Sequence, residues 1–329
     1  MRIHRILLIA GLIFSGLPGV MKAEAEWLHG FSDGLAPVEK AGRAGYIDPN
    51  GHVAILFQFQ HASIFSEGFA AVKVGGAWGF IDRTGQVVIP AKFEHAGNFS
   101  EGLADVTVDG KIGYINKSGE TVVAPQFDNA DSFSDGLARV VGDGEISFID
   151  MTGNVVISPG TSHADRFSGE RAAIKVRKKW GYMNKKGTIV IQPAFDEAGH
   201  FWEGLTRVRK GTQWGYIGKN GQSVIPFRYE KADRFSEGLA AVKMNGKWGY
   251  IDPTGKMVIS PKYSRADRFS EGLAAVKVGG QLGFIDKTGR MAIPPTYKDG
   301  DVFSGDRASV TLRDKFLYID KAGKRIWSQ

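Results

Sequence analysis

The chain contains no cysteine, which excludes disulfide bonds, thiol nucleophiles and thiolate metal sites. It also lacks a Gly-x-Ser-x-Gly elbow, a His-Glu-x-x-His pair and a phosphate-binding glycine loop before a helix. No Ser/His/Asp set stands out, and beyond the N-terminal segment no apolar run is long enough to cross a membrane. The sequence therefore predicts a protein that is not an enzyme, holds no cofactor or metal, and has no transmembrane anchor after its N-terminal segment.

Concentrated positive charge is also scarce. The formal net charge is +7 over 329 residues, and the densest basic run is Arg177-Lys178-Lys179. A protein that binds nucleic acid is expected to cluster its positive charges. This distribution predicts that nucleic acid is not the partner.

The N-terminal segment has the three parts of a secretory signal. Arg2 and Arg5 form a positive region, an apolar run follows over 6–17, and Ala23-Glu24-Ala25 matches a cleavage site. We therefore expect a signal peptide over 1–25 and a single mature domain over 26–329. The protein is predicted to be exported to the periplasm or the extracellular space.

Glycine is abundant, with 44 residues, about twice the ordinary share of ~7%. Many glycines belong to a repeat of 34 residues that runs without insertion or deletion. A tyrosine or phenylalanine and a glycine recur at the same period. The nine units are marked by their phenylalanines: Phe31, Phe65, Phe99, Phe133, Phe167, Phe201, Phe235, Phe269 and Phe303.

The seventh unit indicates the structure of each repeat. Its internal glycines and Pro253 would destabilise a helix by about 1 and 3 kcal/mol each. Strands are predicted over 239–244, 247–252 and 256–260, joined by a type I′ turn at Asn245-Gly246 and a bulged turn that ends in Gly255. We interpret each unit as a three-stranded meander, and the glycine after the tryptophan (Gly249) as room for a neighbouring aromatic ring.

Stacked meanders can form an open array or a closed ring. The ninth unit ends at Gln329, and residues 26–30 do not read as a strand that would complete its sheet. Nine blades also exceed the usual four to eight of a propeller. The sequence therefore predicts an all-β, open twisted β-solenoid or superhelix, with a closed propeller-like ring as the alternative.

The core of the unit, Lys247-Trp248-Gly249-Tyr250-Ile251-Asp252, resembles the bacterial WG (or KWG) repeat. Further intact copies are Trp78-Gly79, Trp180-Gly181 and Trp214-Gly215. The resemblance covers the chain after its N-terminal segment. It implies a β-rich repeat array that serves as an interaction module, without a shared catalytic residue or cofactor.

Two repeated columns of polar residues have catalytic or metal-binding alternatives. Histidines His61, His95 and His163 share one position, but further ligands are missing, so we interpret them as loop residues. Aspartates precede the Arg166, Arg234 and Arg268 column, which suggests salt bridges between units. A separate acidic column consists of Glu67, Glu101, Asp135, Glu203, Glu237 and Glu271. These carboxylates could bind calcium or act as a general acid, but the role of such residues in turns explains every copy.

Specificity is expected where the units differ. The first hairpins of units five and six carry a basic strip, Arg177, Lys178, Lys179, Arg209 and Lys210. This strip could bind an acidic protein or an anionic envelope polymer. The sequence thus predicts an exported, non-enzymatic scaffold that binds a protein partner, with a carbohydrate- or peptidoglycan-binding module as the alternative.

Overall fold

The structure, a computed structural model, describes residues 30–328, which form strands and turns without a helix. The strands make nine antiparallel sheets, one for each repeat. The all-β tandem-repeat prediction is confirmed. Within 30–328 no helix is present that could cross a membrane. The predicted signal peptide over 1–25 lies outside the described residues.

Each sheet is a blade of consecutive strands, and the bounds are as follows. Blade 1 contains β1 (Ala36–Lys40), β2 (Arg43–Ile47) and β3 (Val53–Phe59); blade 2 contains β4 (His61–Ala62), β5 (Phe69–Val74), β6 (Ala77–Asp82) and β7 (Val87–Phe93). Blade 3 contains β8 (His95–Ala96), β9 (Leu103–Val108), β10 (Lys111–Asn116) and β11 (Thr121–Phe127); blade 4 contains β12 (Asn129–Ala130), β13 (Ala138–Gly142), β14 (Glu145–Ile149) and β15 (Val155–Ile157). Blade 5 contains β16 (Ala172–Val176), β17 (Lys179–Met183) and β18 (Ile189–Phe195); blade 6 contains β19 (Glu197–Ala198), β20 (Leu205–Lys210), β21 (Gln213–Gly218) and β22 (Ser223–Tyr229). Blade 7 contains β23 (Lys231–Ala232), β24 (Ala240–Met244), β25 (Lys247–Ile251) and β26 (Met257–Tyr263). Blade 8 contains β27 (Arg265–Ala266), β28 (Ala274–Val278), β29 (Gln281–Ile285) and β30 (Met291–Tyr297); blade 9 contains β31 (Asp299–Gly300), β32 (Arg307–Leu312), β33 (Lys315–Asp320) and β34 (Arg325–Ser328).

The three-stranded meander prediction was incomplete. Seven of the nine sheets have four strands, because a two-residue strand before the repeated phenylalanine pairs with the next strand. In blade 7 this short strand is β23, and its Ala232 lies opposite Val242. The outer strand β26 also continues past Pro261, because the proline lies in a bulge where the register with β25 shifts.

The predicted turns are present. Asn245 and Gly246 have φ of 47° and 73°, as a type I′ hairpin requires. Gly255 has φ of 84°, and its amide donates to the Asp252 carbonyl at 2.9 Å. These two turns lie at opposite ends of β25, so the ring has a hairpin face and a second face that carries the Asp252-type turns.

The side chains give each blade the shape of a wedge. The second strand carries buried alanines, such as Ala240, where the third strand carries large buried rings, such as Tyr250. At the fourth strand, exposed valines such as Val87 and Val155 mark the outer rim. A blade that is thin at one edge and thick towards the other packs into a ring with the thin edge nearest the axis.

The ring is closed, so the open-solenoid prediction was wrong and its alternative is correct. The ring at the position of Tyr250 in each blade contacts the next blade's phenylalanine at centroid distances of 4.8 to 5.1 Å, and Tyr318 makes this contact with Phe31. The Arg307 side chain also donates to the Pro49 carbonyl at 2.7 Å. Side-chain packing between blades 9 and 1 closes the ring, and no strand has to be exchanged between the termini.

The interpretation of Gly249 was wrong in its cause. A Cβ at this position would lie 2.4 Å from the Ile259 carbonyl oxygen and 2.7 Å from the Pro261 nitrogen. The space is therefore taken by the backbone of the bulged outer strand and not by an aromatic ring. The glycine is required because the bulge brings two backbones together.

Candidate binding surfaces

The acidic column forms a chain of hydrogen bonds from blade to blade. Glu67 and its equivalents occupy left-handed turns with φ near 50°. Glu67 accepts from the Gly102 amide at 3.0 Å, and Glu101 from the Gly136 amide at 2.9 Å. The other members, Asp135, Glu203, Glu237 and Glu271, each accept from the equivalent turn of the following blade. These contacts give the column a structural role, as turn chemistry predicted.

Lysines are the counter-ions of at least two members of the acidic column. Lys117 lies 3.1 Å from Glu67, and Lys287 lies 3.1 Å from Glu237. Burial opposes the charge of both glutamates, but the lysine and the turn amide outweigh it and hold the pKa of each carboxyl below its usual value. Both are ionised at neutral pH and stabilise the blade interface.

The predicted basic strip lies on the hairpin face, at blades 5 and 6. Lys179 pairs with Asp196 at 2.6 Å, and Arg209 pairs with Glu197 at 2.6 Å. Lys210 lies 5.3 and 5.2 Å from the ring centres of two partly or fully buried phenylalanines, Phe195 and Phe227. The structure thus brings the five residues onto one face, but acids already neutralise two of them.

Arg177 and Lys178 form the exposed tip of the blade 5 hairpin. Their φ values are 47° and 74°, in the left-handed region. Within residues 30–328 neither side chain makes an ion pair. They are the part of the strip that remains available to a partner.

The histidine column lies beside a tryptophan. His61 and His95 lie 6.3 and 5.9 Å from Trp78, measured between ring centres. His163 bonds its neighbour Ser162 at 2.9 Å. In the part of the chain that the structure describes, no three histidine, aspartate or glutamate side chains are grouped to hold a metal ion.

The Asp-Arg column lies on the inner edge of the blades, in the segment that follows each two-residue strand. The aspartates pair with residues other than the arginines beside them. Asp165 lies 3.3 Å from His200 and Asp233 lies 3.9 Å from Arg207, and both pairs link neighbouring blades. Asp131 instead pairs with Arg139 of its own blade, at 3.5 Å. Of these three aspartates, only Asp233 forms the predicted kind of bridge between units, and its arginine is Arg207 rather than the adjacent Arg234.

The sequence reading missed two features of this inner edge. Asp105 lies behind Gly97, and burial raises the pKa of its carboxyl and of the Asp131 carboxyl. Trp202 replaces the serine that every other unit has after its phenylalanine. Comparison of the nine units position by position would have revealed the tryptophan. The burial of Asp105 depends on the shape of the ring.

The fold is a nine-bladed β-propeller. The sequence profile of the WG containing repeat matches residues 45–76, 78–111, 112–144, 146–180, 180–211, 214–248, 248–281 and 283–316. The chain therefore belongs to the WG containing repeat family, which confirms the resemblance. A search of curated proteins gives no match.

Comparison with solved structures gives matches at low sequence identity. A crystal structure of the eukaryotic initiation factor is similar, with a TM-score of 0.65 and 11% identity, over 89% of this chain and 95% of that one. The C-terminal WD40 domain of Sif2 gives a TM-score of 0.42 and 11% identity, over 75% of this chain and 90% of that one. The extracellular domain of BT4673 from B. thetaiotaomicron gives a TM-score of 0.36 and 10% identity, over 93% of this chain and 59% of that one. At these identities only the similarity to the initiation factor indicates a shared fold, and it indicates nothing about function.

Proposed function

We propose that the chain is an exported, non-enzymatic scaffold that binds a protein partner of the bacterial envelope or the extracellular space through its hairpin face. The contact is centred on the blade 5 hairpin tip, Arg177 and Lys178. The partner presents acidic side chains to this tip.

The backbone of the tip carries the proposal. A residue with a Cβ in the left-handed region is disfavoured by about 1 kcal/mol or more, and glycine avoids this penalty. Seven of the other eight tips have glycine at one or both of these positions, for example Asn245-Gly246, and the blade 9 tip is Arg313-Asp314. Among the nine tips only that of blade 5 has two cationic residues. Arg177 and Lys178 place two long cationic side chains at a tip where a residue pair with glycine would be less strained. Strain that the fold does not need often marks a functional site.

The surroundings of the tip support recognition of an acidic protein. Lys179 is exposed beside the tip but is held by Asp196. Arg177 and Lys178 extend from a rigid hairpin and can pair with a partner without first breaking a bond within the described chain. Charged rims of this kind guide association and select partners.

Three of the repeated tryptophans have a cation or imidazole rings beside the indole. Lys175 lies 5.6 Å from the Trp180 ring centre, and Arg207 lies 5.3 Å from that of Trp214. Histidines flank Trp78. A stacking site for carbohydrate needs an open aromatic face, so a protein partner is favoured over polysaccharide.

The experiment compares two charge reversals in the same blade. Arg177→Glu/Lys178→Glu changes the hairpin tip, and Lys185→Glu/Lys186→Glu makes the same change in charge at an exposed turn on the opposite face. Both variants and the unaltered chain from Glu26 are used as bait for envelope and secreted proteins. Co-sedimentation with peptidoglycan and insoluble polysaccharide is measured in parallel.

A stoichiometric protein that the tip reversal weakens by tenfold or more, and the turn reversal leaves bound, supports the proposal. Equal binding to both variants contradicts the assigned surface. Sedimentation with polysaccharide that soluble sugar reverses contradicts a protein partner and supports the carbohydrate-binding alternative.

A further inference from the structure

Arginines cluster on one arc of the inner edge. The residue before the repeated phenylalanine is Arg166 in blade 5, Arg234 in blade 7 and Arg268 in blade 8, and it is His200 in blade 6. In blades 2, 3, 4 and 9 the same position holds Ile64, Asn98, Ser132 and Val302. The arc is therefore a departure from the repeat and is not required by the fold.

The arc faces the central channel. These residues follow the short innermost strands, such as Lys231–Ala232. His200, at the same position of blade 6, lies 3.3 Å from Asp165 of blade 5, and Arg207 of blade 6 lies 3.9 Å from Asp233 of blade 7. These contacts show that side chains of neighbouring blades meet at the inner edge.

The aspartates beside the arginines are already engaged. Asp165 accepts from the Arg166 amide at 3.0 Å and contacts His200. Asp233 accepts from the Arg234 amide at 2.8 Å and contacts Arg207. Asp267 accepts from two nitrogens of Arg265, at 3.1 and 2.6 Å.

The guanidinium groups of Arg166, Arg234 and Arg268 consequently make no ion pair within residues 30–328. Burial, and then the positive charge of Arg268, lowers the pKa of Arg234. Like charges held together near the axis repel each other, and a bound anion would relieve that repulsion.

Trp202 holds one of these cations in position. The Arg234 guanidinium carbon lies 3.9 Å from the centre of the Trp202 ring. This stacking fixes the plane of the guanidinium and leaves its N–H edge free to donate. Trp202, which replaces the usual serine, and the three arginines lie in neighbouring blades. Together they form the candidate site.

We propose that Arg166, Arg234 and Arg268 bind a small multivalent oxyanion in the central channel, with Trp202 orienting Arg234. Planar guanidinium groups match the paired oxygens of phosphate and carboxylate groups. The site is separate from the hairpin tip, so it can bind its ligand whether or not a protein partner is bound there.

The test is isothermal titration of the chain from Glu26, which contains every described residue. Inorganic pyrophosphate and citrate are the two probes, because they separate phosphate from carboxylate recognition. The variants are Arg234→Gln, Arg268→Gln and Arg234→Lys. Arg290→Gln, in an exposed turn of blade 8, is the matched control for loss of one charge.

We expect one probe to bind, with affinity that falls as salt increases, and to raise the melting temperature. Arg234→Gln and Arg268→Gln should weaken binding by about tenfold or more, because each removes a charge-assisted contact. Arg234→Lys should give an intermediate loss, and Arg290→Gln should bind like the unaltered chain. The melting temperature of each variant shows that it is folded.

Two results would overturn the proposal. One is the absence of binding by both probes at low salt. The other is binding that Arg234→Gln and Arg268→Gln weaken no more than Arg290→Gln does. Neither result bears on the hairpin tip, whose variants and ligands are different.

Discussion

The Ser304 hydroxyl donates a hydrogen bond of 2.6 Å to the carbonyl of Phe31, although 273 residues separate them. The same bond joins neighbouring blades along the chain, for example from Ser100 to the Phe133 carbonyl at 2.8 Å. The interface between blades 9 and 1 is therefore built like the interfaces that the chain itself connects. A closed ring leaves no terminal blade with an unpacked side.

This equivalence predicts that Ser304→Ala and Ser100→Ala lower stability by similar amounts. Each removes one hydrogen bond between blades, worth about 1 kcal/mol. Urea unfolding followed by circular dichroism measures both changes. In an open array Ser304 would have no partner, so a silent Ser304→Ala beside a destabilising Ser100→Ala would contradict closure.

The sequence was sufficient for the repeat but not for its closure. The period of the phenylalanines and the Asn245-Gly246 turn predict the strands, because both follow from local chemistry. Closure depends on the thickness of each blade, which is set by how Ala240 and Tyr250 pack against the neighbouring blades. The identities of these two residues in the sequence do not reveal the angle between neighbouring blades.

The candidate sites show the same division. Hairpin spacing placed Arg177 and Arg209 on one face, as predicted, but could not show that Glu197 holds Arg209. The arginines before the phenylalanines were visible as a column. Only the ring shows that this column lies along its inner edge, where we propose that the arginines bind an anion.

Gly249→Ala is expected to destabilise the protein by about 1–3 kcal/mol. The added methyl group would lie 2.4 Å from the Ile259 oxygen, and a backbone oxygen cannot rotate away as a side chain can. Gly142→Ala is the control, because the nearest atom to its added methyl group is 3.9 Å away. Calorimetry should show a lower melting temperature for the first variant and little change for the second. Equal melting temperatures would contradict the close approach of the two backbones.

Acid is expected to destabilise the ring through its turn aspartates. The Thr254 hydroxyl and then backbone amides donate hydrogen bonds to the Asp252 carboxylate, and together they outweigh burial and hold its pKa below the usual value. The same contacts lower the pKa of the equivalent residues Asp82, Asp150 and Asp286. A lowered folded-state pKa stabilises the protein above the unfolded value of about 4, and this contribution is lost as the pH falls through the folded value. The melting temperature should therefore drop between about pH 5 and pH 3.

Asparagine variants separate this effect from other acid effects. Asn116 and Asn184 already accept the same amide bonds in blades 3 and 5. Changing Asp82, Asp150, Asp252 and Asp286 together to asparagine should keep the turns and reduce the drop in melting temperature. An unchanged drop would show that other groups cause it. The raised pKa values of the buried Asp105 and Asp131 act in the opposite direction in both proteins.

Trp202→Ser is expected to leave the stability of the ring almost unchanged. The new serine can donate to the Phe235 carbonyl, as seven serines in other blades do to theirs at 2.6 to 3.0 Å. That bond replaces the stacking of Arg234, and each is worth about 1 kcal/mol. Ser100→Trp is the reverse change in a blade whose neighbour offers Ser132 in place of an arginine, so it should lower the melting temperature. If Trp202→Ser destabilises the protein as much as Ser100→Trp, the tryptophan serves packing. If only Ser100→Trp does, the tryptophan was retained in blade 6 for what it does to Arg234 and not for the fold.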